Sequence, residues 1–257
     1  MMLLAVDVGN TNITFGVFEE ERCILVSRLS TDKLKMPDQY ICEFINIFNI
    51  NKIDSEKFTG SIISCVVPEL KDTLINAVTK ATGCTPLVIG PGIKTGLNIL
   101  TDNPAQVGAD IIVGSVAASE KYEMPCLVID LGTASKISAL DEKGNFCGMT
   151  ICCGVKLSLD ALATQASLLP NVSITPPKKV IGKNTVDCMQ SGVVYGTASM
   201  IDGLVDRFCQ EMNSPVKTLV ATGGYAKNIV ENCKKEIIYD ENLLLDGLRI
   251  IYNKNRK

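Results

Sequence analysis

Histidine is absent from the 257 residues. That removes the commonest zinc partner and the commonest general base. Proton abstraction by this chain therefore falls to a carboxylate, with lysine, tyrosine or cysteine as weaker choices. No Cys-x-x-Cys pair occurs among the 11 cysteines. They are scattered, mostly inside apolar runs (Cys42, Cys65, Cys126, Cys188, Cys209), and read as buried free thiols of a reducing compartment. The one cluster, Cys147, Cys152 and Cys153, contains adjacent residues that a strand would point to opposite faces. A basic block is also missing, and the net charge is -3, which argues against nucleic acid as a partner. The basic end Lys254-Asn255-Arg256-Lys257 reads as a frayed, solvated tail. No apolar run approaches the ~20 residues needed to cross a bilayer, so no membrane role is expected. The first apolar stretch meets Asp7 almost at once and has no basic lead, so it does not read as a signal peptide. A cytoplasmic protein is the expectation.

What is present is ordinary in bulk: 46% hydrophobic and 21% charged residues, enough chain for one large or two modest domains with a real core. The informative feature is an echo. Leu3-Leu4-Ala5-Val6-Asp7-Val8-Gly9-Asn10-Thr11-Asn12 returns as Cys126-Leu127-Val128-Ile129-Asp130-Leu131-Gly132-Thr133-Ala134-Ser135. Each is an apolar run that reaches an aspartate, breaks at a glycine and resumes alternating apolar residues up to an acidic tip. Those tips are Glu19-Glu20-Glu21 and Asp141-Glu142-Lys143-Gly144-Asn145. Aspartate and glycine are poor strand interiors, so each break marks where backbone and carboxylate leave a sheet.

The pattern predicts strands over 2–8, 12–18 and 22–29, an amphipathic helix over 37–49, and a buried strand over 61–67. A helix over 68–82 follows, with Pro68 at its start and Gly83 past its end. A short strand over 86–89 and a helix over 104–122 capped by Asp102-Asn103 complete the first half. The second half repeats the plan: strands over 125–130, 135–140 and 145–151, helices near 155–168 and 185–211, and a strand over 217–221. Strand trios followed by helices, occurring twice, predict an α/β chain of two duplicated domains, 1–122 and 123–257, with an interdomain cleft as the natural ligand site.

The first turn offers close backbone approach at Gly9, N–H groups for phosphate oxygens, and Asp7 for magnesium, directly or through water. Asp130-Leu131-Gly132-Thr133 offers the same a second time, and Thr222-Gly223-Gly224 adds a glycine turn where an adenine or ribose packs without a Cβ in the way. Asp110 lies in Gly108-Ala109-Asp110-Ile111 at a helix start. It reads either as a charge favoured by the helix dipole or as a base orienting a hydroxyl for attack on a γ-phosphate.

These blocks, with Gly90-Pro91-Gly92-Ile93-Lys94-Thr95-Gly96-Leu97, Asp102-Asn103-Pro104, Ile181-Gly182-Lys183-Asn184-Thr185 and Met189-Gln190-Ser191-Gly192, resemble those of the type III pantothenate kinases over nearly the whole length. That family belongs to the acetate and sugar kinase, Hsp70 and actin superfamily. The resemblance implies two RNase H-like (actin-like ATPase) domains with mixed sheets flanked by helices. It implies ATP-dependent phosphorylation of pantothenate, the first step of coenzyme A synthesis. ATP phosphates fall to Asp7, Val8, Gly9, Asn10, Thr11, Asn12, Ile13 and Thr14, with Thr133, Gly223 and Gly224 completing the nucleotide site. Asp110 becomes the proton acceptor. Pantothenate contacts fall to Thr101, Gly108, Ala109, Asp110, Ile111 and Thr185. Magnesium, a monovalent cation (potassium or ammonium) at Asp130, and a homodimer built near the long second-domain helix are implied as well.

The chain departs from that pattern in places. Ile111 stands where the family carries arginine, Thr101 where it carries tyrosine, and Met149 and Cys153 where it carries glycine and proline. A lost charge-assisted hydrogen bond costs roughly 10- to 150-fold in affinity. The residues thus leave three alternatives to pantothenate phosphorylation: another hydroxyl substrate, a non-catalytic nucleotide-binding regulator, or a phosphatase of the same superfamily. Another cation, such as Lys94 or Lys183, is a candidate to stand in for the missing arginine.

Overall fold

The computed structural model describes residues 1–212 and 214–256. They form two compact units. The first comprises Met1–Gly96, Asn103–Ala117 and the segment from Leu243 on; the second comprises Leu97–Asp102 and Ala118–Asn242.

In the first unit, β1 (Met2–Val8), β2 (Asn12–Glu19) and β3 (Arg22–Ser30) make an antiparallel meander. β4 (Phe58–Cys65) and β5 (Leu87–Val88) add in parallel beyond β1, giving the order β3-β2-β1-β4-β5. Alternation along β1 divides the sheet's faces. Leu4, Val6 and Val8 join one core with Tyr40, Phe44 and Phe48 of α1 (Pro37–Ile50) and Leu74, Ala77 and Val78 of α2 (Lys71–Thr82). Phe15 of β2 meets Phe44 edge-on at 5.0 Å. Leu3, Ala5 and Asp7 therefore share the opposite face. α3 (Ala109–Lys121) begins in this unit, and α7 (Leu243–Asn255) packs on β1, β4 and β2 with Leu243, Leu245, Leu248 and Ile251 buried.

The second unit repeats the topology. β6 (Cys126–Leu131), β7 (Ala134–Leu140) and β8 (Phe146–Cys153) form the meander, and β9 (Thr218–Thr222) and β10 (Ile238–Tyr239) extend it in parallel. The order is β8-β7-β6-β9-β10. α4 (Val155–Gln165), α5 (Thr185–Met212) and α6 (Ala226–Val230) bury Val155, Leu159, Met189, Val194, Ile201 and Ile229 against Leu127, Ile129 and Leu131. Even the ladder partners correspond. Asp7 lies opposite Thr14 and Ser64, and Asp130 lies opposite Lys136 and Thr222. Two mixed five-stranded sheets of one topology, flanked by helices, make this a duplicated RNase H-like architecture.

Several expectations change. The 104–122 helix is in fact a 3-10 turn, Pro104–Gln106, followed by α3 from Ala109; extended Val107 (ψ 123°) separates the two. Asn103 makes no side-chain cap. Likewise Pro68–Leu70 is a 3-10 turn ahead of α2, and α4 stops at Gln165 because Ala166 is extended. The buried strand expected over 61–67 runs instead from Phe58 to Cys65. Lys254 and Asn255 are not tail but the last turn of α7, where Asn255 binds Ile251 and Lys94 carbonyls; Lys257 lies outside the described residues. With that helix counted in the first unit, the division also differs from the expected boundary at 122/123. All 11 cysteines are free thiols, but Cys42, Cys147, Cys153 and Cys188 are exposed rather than buried. Among the described residues, no helix is long and apolar enough to cross a membrane.

Candidate functional site

The first turn leaves β1 after Val8 and returns into β2 at Asn12. Gly9 N–H donates to the Asn12 carbonyl at 3.0 Å, and Val66 N–H ties the Val8 carbonyl to the chain beyond β4 at 3.0 Å. Thr31, just past β3, braces the turn from the side. Its Oγ1 donates to the Gly9 carbonyl at 2.7 Å and its N–H to the Thr11 carbonyl at 3.0 Å. Asn10, Thr11 and Asn12 are exposed, whereas Val8 and Ile13 are wholly buried in the core. Those two offer a ligand only their backbone. The Asp7 carboxylate makes itself felt at Cys65, whose thiol is pushed above its ordinary range by burial and, secondarily, by that negative charge.

In the same unit Asp110 occupies the first turn of α3, where its Oδ1 accepts the Ile111 N–H at 2.9 Å. Both open readings draw on this geometry. The carboxylate satisfies a helix-start donor, and it is held in one orientation while half-exposed. Gly108 and Ala109 lead into it, and Ile111 follows as a half-buried aliphatic side chain.

The second unit builds a denser site. Gly132 N–H donates to the Ala134 carbonyl at 3.2 Å, making a turn one residue shorter than the first. Two glycines are pressed against it. A Cβ at Gly154, which precedes α4, would lie 2.0 Å from the Thr133 carbonyl oxygen, and one at Gly223 would lie 2.6 Å from the Leu131 carbonyl oxygen. Gly223 also has φ +102°, which an L side chain rarely adopts. The turn after β6, the start of α4 and the turn after β9 thus meet backbone to backbone. Thr133 and Gly224 lie exposed at this junction.

Asp130 does not stand alone. The Lys136 Nζ lies 2.7 Å from its Oδ2, with the two side chains 14% and 19% exposed. Thr185 opens α5 as an exposed residue; Asn184 caps that helix by accepting the Asp187 N–H at 2.9 Å while its amide donates to the Asp187 carboxylate at 2.8 Å. Thr101 is half-buried, and its Oγ1 is buried with no hydrogen-bond partner among the described residues.

Thr31, Lys136 and Gly154 escaped the sequence reading. Thr31 carries no signal beyond a hydroxyl after a strand. Gly154 is a lone glycine before a helix. Lys136 did leave a trace: a lysine flanked by Ser135 and Ile137 inside a strand, directly across from a motif aspartate.

A family model described as type III pantothenate kinase matches residues 3–207. Among solved structures, a Campylobacter jejuni protein assigned to the Baf family of transcriptional activators is 19% identical over 98% of each chain, with a TM-score of 0.63. The activator of 2-hydroxyisocaproyl-CoA dehydratase from Clostridium difficile, solved with ADPNP bound, is 11% identical. That match covers 100% of this chain and 98% of that one, with a TM-score of 0.60. The polyphosphate/ATP-glucomannokinase of an Arthrobacter strain is 14% identical over 99% of each chain, with a TM-score of 0.51. At these identities the likeness is one of fold alone, the doubled RNase H-like (actin-like ATPase) architecture.

Proposed function

The chain belongs to the type III pantothenate kinase family, and on that premise we propose that it transfers the γ-phosphoryl group of ATP to the primary hydroxyl of pantothenate. This would be the first step of coenzyme A synthesis, carried out as a soluble homodimer in the cytoplasm. The observation that carries the reading is a match over residues 3–207 that takes in both aspartate–glycine turns and Asp110.

Each residue then has a task. The backbone of residues 7–14 holds ATP phosphates, and Thr133, Gly223 and Gly224 seat the rest of the nucleotide on the second unit. Asp7 suits magnesium: a hard cation takes one carboxylate plus water and phosphate oxygens. Magnesium bound with ATP supplies charge neutralisation at the transferring phosphoryl group. Asp110 orients the acceptor hydroxyl and takes its proton, which phosphoryl transfer requires more as positioning than as strong base catalysis. Gly108, Ala109, Ile111, Thr101 and Thr185 contact pantothenate. The carboxylate expected to hold a monovalent cation, Asp130, already has a positive partner from the chain itself, because Lys136 engages its Oδ2. Large apolar side chains left exposed between α4 and α5, Leu168 at 91% and Ile181 at 81%, favour a dimer near α5.

A coupled ADP-release assay with pantothenate and magnesium tests the proposal. ADP should appear only when pantothenate is present, and absence of turnover from folded protein that still binds ATP would reject it. That outcome would favour the second reading, for which Ile111 speaks. An aliphatic side chain in place of a guanidinium weakens the hold on a carboxylate and suits a less acidic hydroxyl substrate, or nucleotide binding alone. A substrate-panel assay separates those two.

A further inference from the structure

We propose that Lys136 is a built-in cation of the second phosphate turn: its ammonium neutralises Asp130 and sets it in place, so nucleotide binding there requires no added monovalent ion. The inference rests on the nucleotide-binding reading above.

Duplication supplies the argument. The two sheets share strand order and register, so the residue across from the motif aspartate can be compared between copies. Across from Asp7 stands Thr14, and across from Asp130 stands Lys136. One copy holds a neutral hydroxyl and the other a full positive charge at the corresponding slot.

That charge is placed at some cost. Lys136 sits in β7, a strand flanked on both sides, between buried Ser135 and Ile137. Lysine is rarely so enclosed unless it is paired, and Lys136 is paired with Asp130, 2.7 Å from Oδ2. Asp130 lies two residues before Gly132, where the backbone turns out of the sheet and α4 and Gly223 close in.

A turn that receives phosphate cannot tolerate an uncompensated carboxylate beside it, because like charges in a partly desolvated site repel. Neutralisation can come from a free ion or from the chain. A lysine ammonium is chemically the same group as an ammonium ion. It sits against Oδ2, one of the two carboxylate oxygens that a free monovalent cation could use. Lys136 is therefore a positioning residue acting through Asp130, and it also lends positive potential to the turn.

Two measurements on the full-length protein test this. The first is affinity for a non-hydrolysable ATP analogue, by calorimetry, in choline buffer and in potassium buffer of equal ionic strength. Wild type should bind within about twofold in both, whereas Lys136→Thr should lose roughly 10- to 150-fold in choline. Potassium or ammonium should restore much of that loss, which a merely structural ion pair would not allow. Lys136→Arg, retaining charge, should behave as wild type, and unchanged melting temperatures would show that the variants fold. The second measurement, ADP release in the same buffers, should follow the same pattern. The inference is overturned if wild type needs potassium to bind the analogue, or if Lys136→Thr binds like wild type in choline. Because analogue binding is read without any acceptor, failure of the pantothenate reading leaves this test intact. Failure to bind any nucleotide in any buffer would sink both.

Discussion

Gly154 illustrates how much can depend on a missing side chain. A Cβ there would fall 2.0 Å from the Thr133 carbonyl oxygen and 2.8 Å from that of Gly132, both backbone atoms with no rotamer to yield. Gly154→Ala must therefore push α4 off the turn after β6, the turn to which the proposed function assigns the nucleotide. Overpacking of this kind costs about 1–3 kcal/mol of stability, and the displaced turn should bind ATP at least tenfold more weakly, a loss of about 1.4 kcal/mol. Urea unfolding and calorimetry check the two halves of that prediction; an alanine variant of wild-type stability and affinity would mean that the turn is not packed as described. Sequence alone exposed the turn glycines, because the strands end just before them, and the aspartates, because a carboxylate is out of place in an apolar strand. Both aspartates nonetheless remain paired in their ladders. Sequence concealed Gly154, Thr31 and Lys136, because their roles depend on which backbone lies beside them rather than on their neighbours in the chain.

Elements tell a similar story through their ends. Pro104 begins a helical turn as the proline and its preceding Asp102-Asn103 suggest, but extended Val107 interrupts it and α3 starts afresh at Ala109. The break is what makes Asp110 a first-turn residue, as its small-residue surroundings suggest and a helix running unbroken from residue 104 would not allow. α7 shows the opposite failure. Its basic last residues resemble a tail, yet Leu243, Leu245, Leu248 and Ile251 are buried, and the helix lies on β1, β2 and β4. What decides between tail and helix is a partner sheet built from strands far earlier in the chain. Leu248 is fully enclosed, so Leu248→Ala should destabilise the protein by about 2–5 kcal/mol. The midpoint of urea unfolding reads this directly. A change within about 0.5 kcal/mol would mean that α7 is not docked on the sheet as described.

For the molecule as a whole, the doubled topology was legible because both copies keep the apolar run, the aspartate, the glycine and the hairpin tip in order. The thiols were less legible: apolar neighbours do not say which strand or helix face will be covered. Their environments now give a pH prediction. Burial raises the Cys126 thiol to about 12, and burial aided by the charge of Asp202 raises Cys233 to about 12, from an ordinary 9.0 for Cys126. A raised folded-state value means that the unfolded chain loses its proton first as pH climbs. The stability tied to these thiols is thus complete below about pH 9 and drains away toward about 12. Urea midpoints should fall over that window, and Cys126→Ala should remove part of the slope; an identical slope would show that the thiol titrates normally in the fold.

Phosphoryl transfer itself is best tested by mass-spectrometric detection of phosphorylated pantothenate after incubation with ATP and magnesium, run side by side for wild type and Asp110→Asn. Wild type should form the phosphate ester, and the variant should form it at least a hundredfold more slowly while binding ATP with unchanged affinity. Equal rates in the two proteins would show that Asp110 serves only its helix. Absence of the ester with wild type, nucleotide binding being intact, would contradict pantothenate as the acceptor.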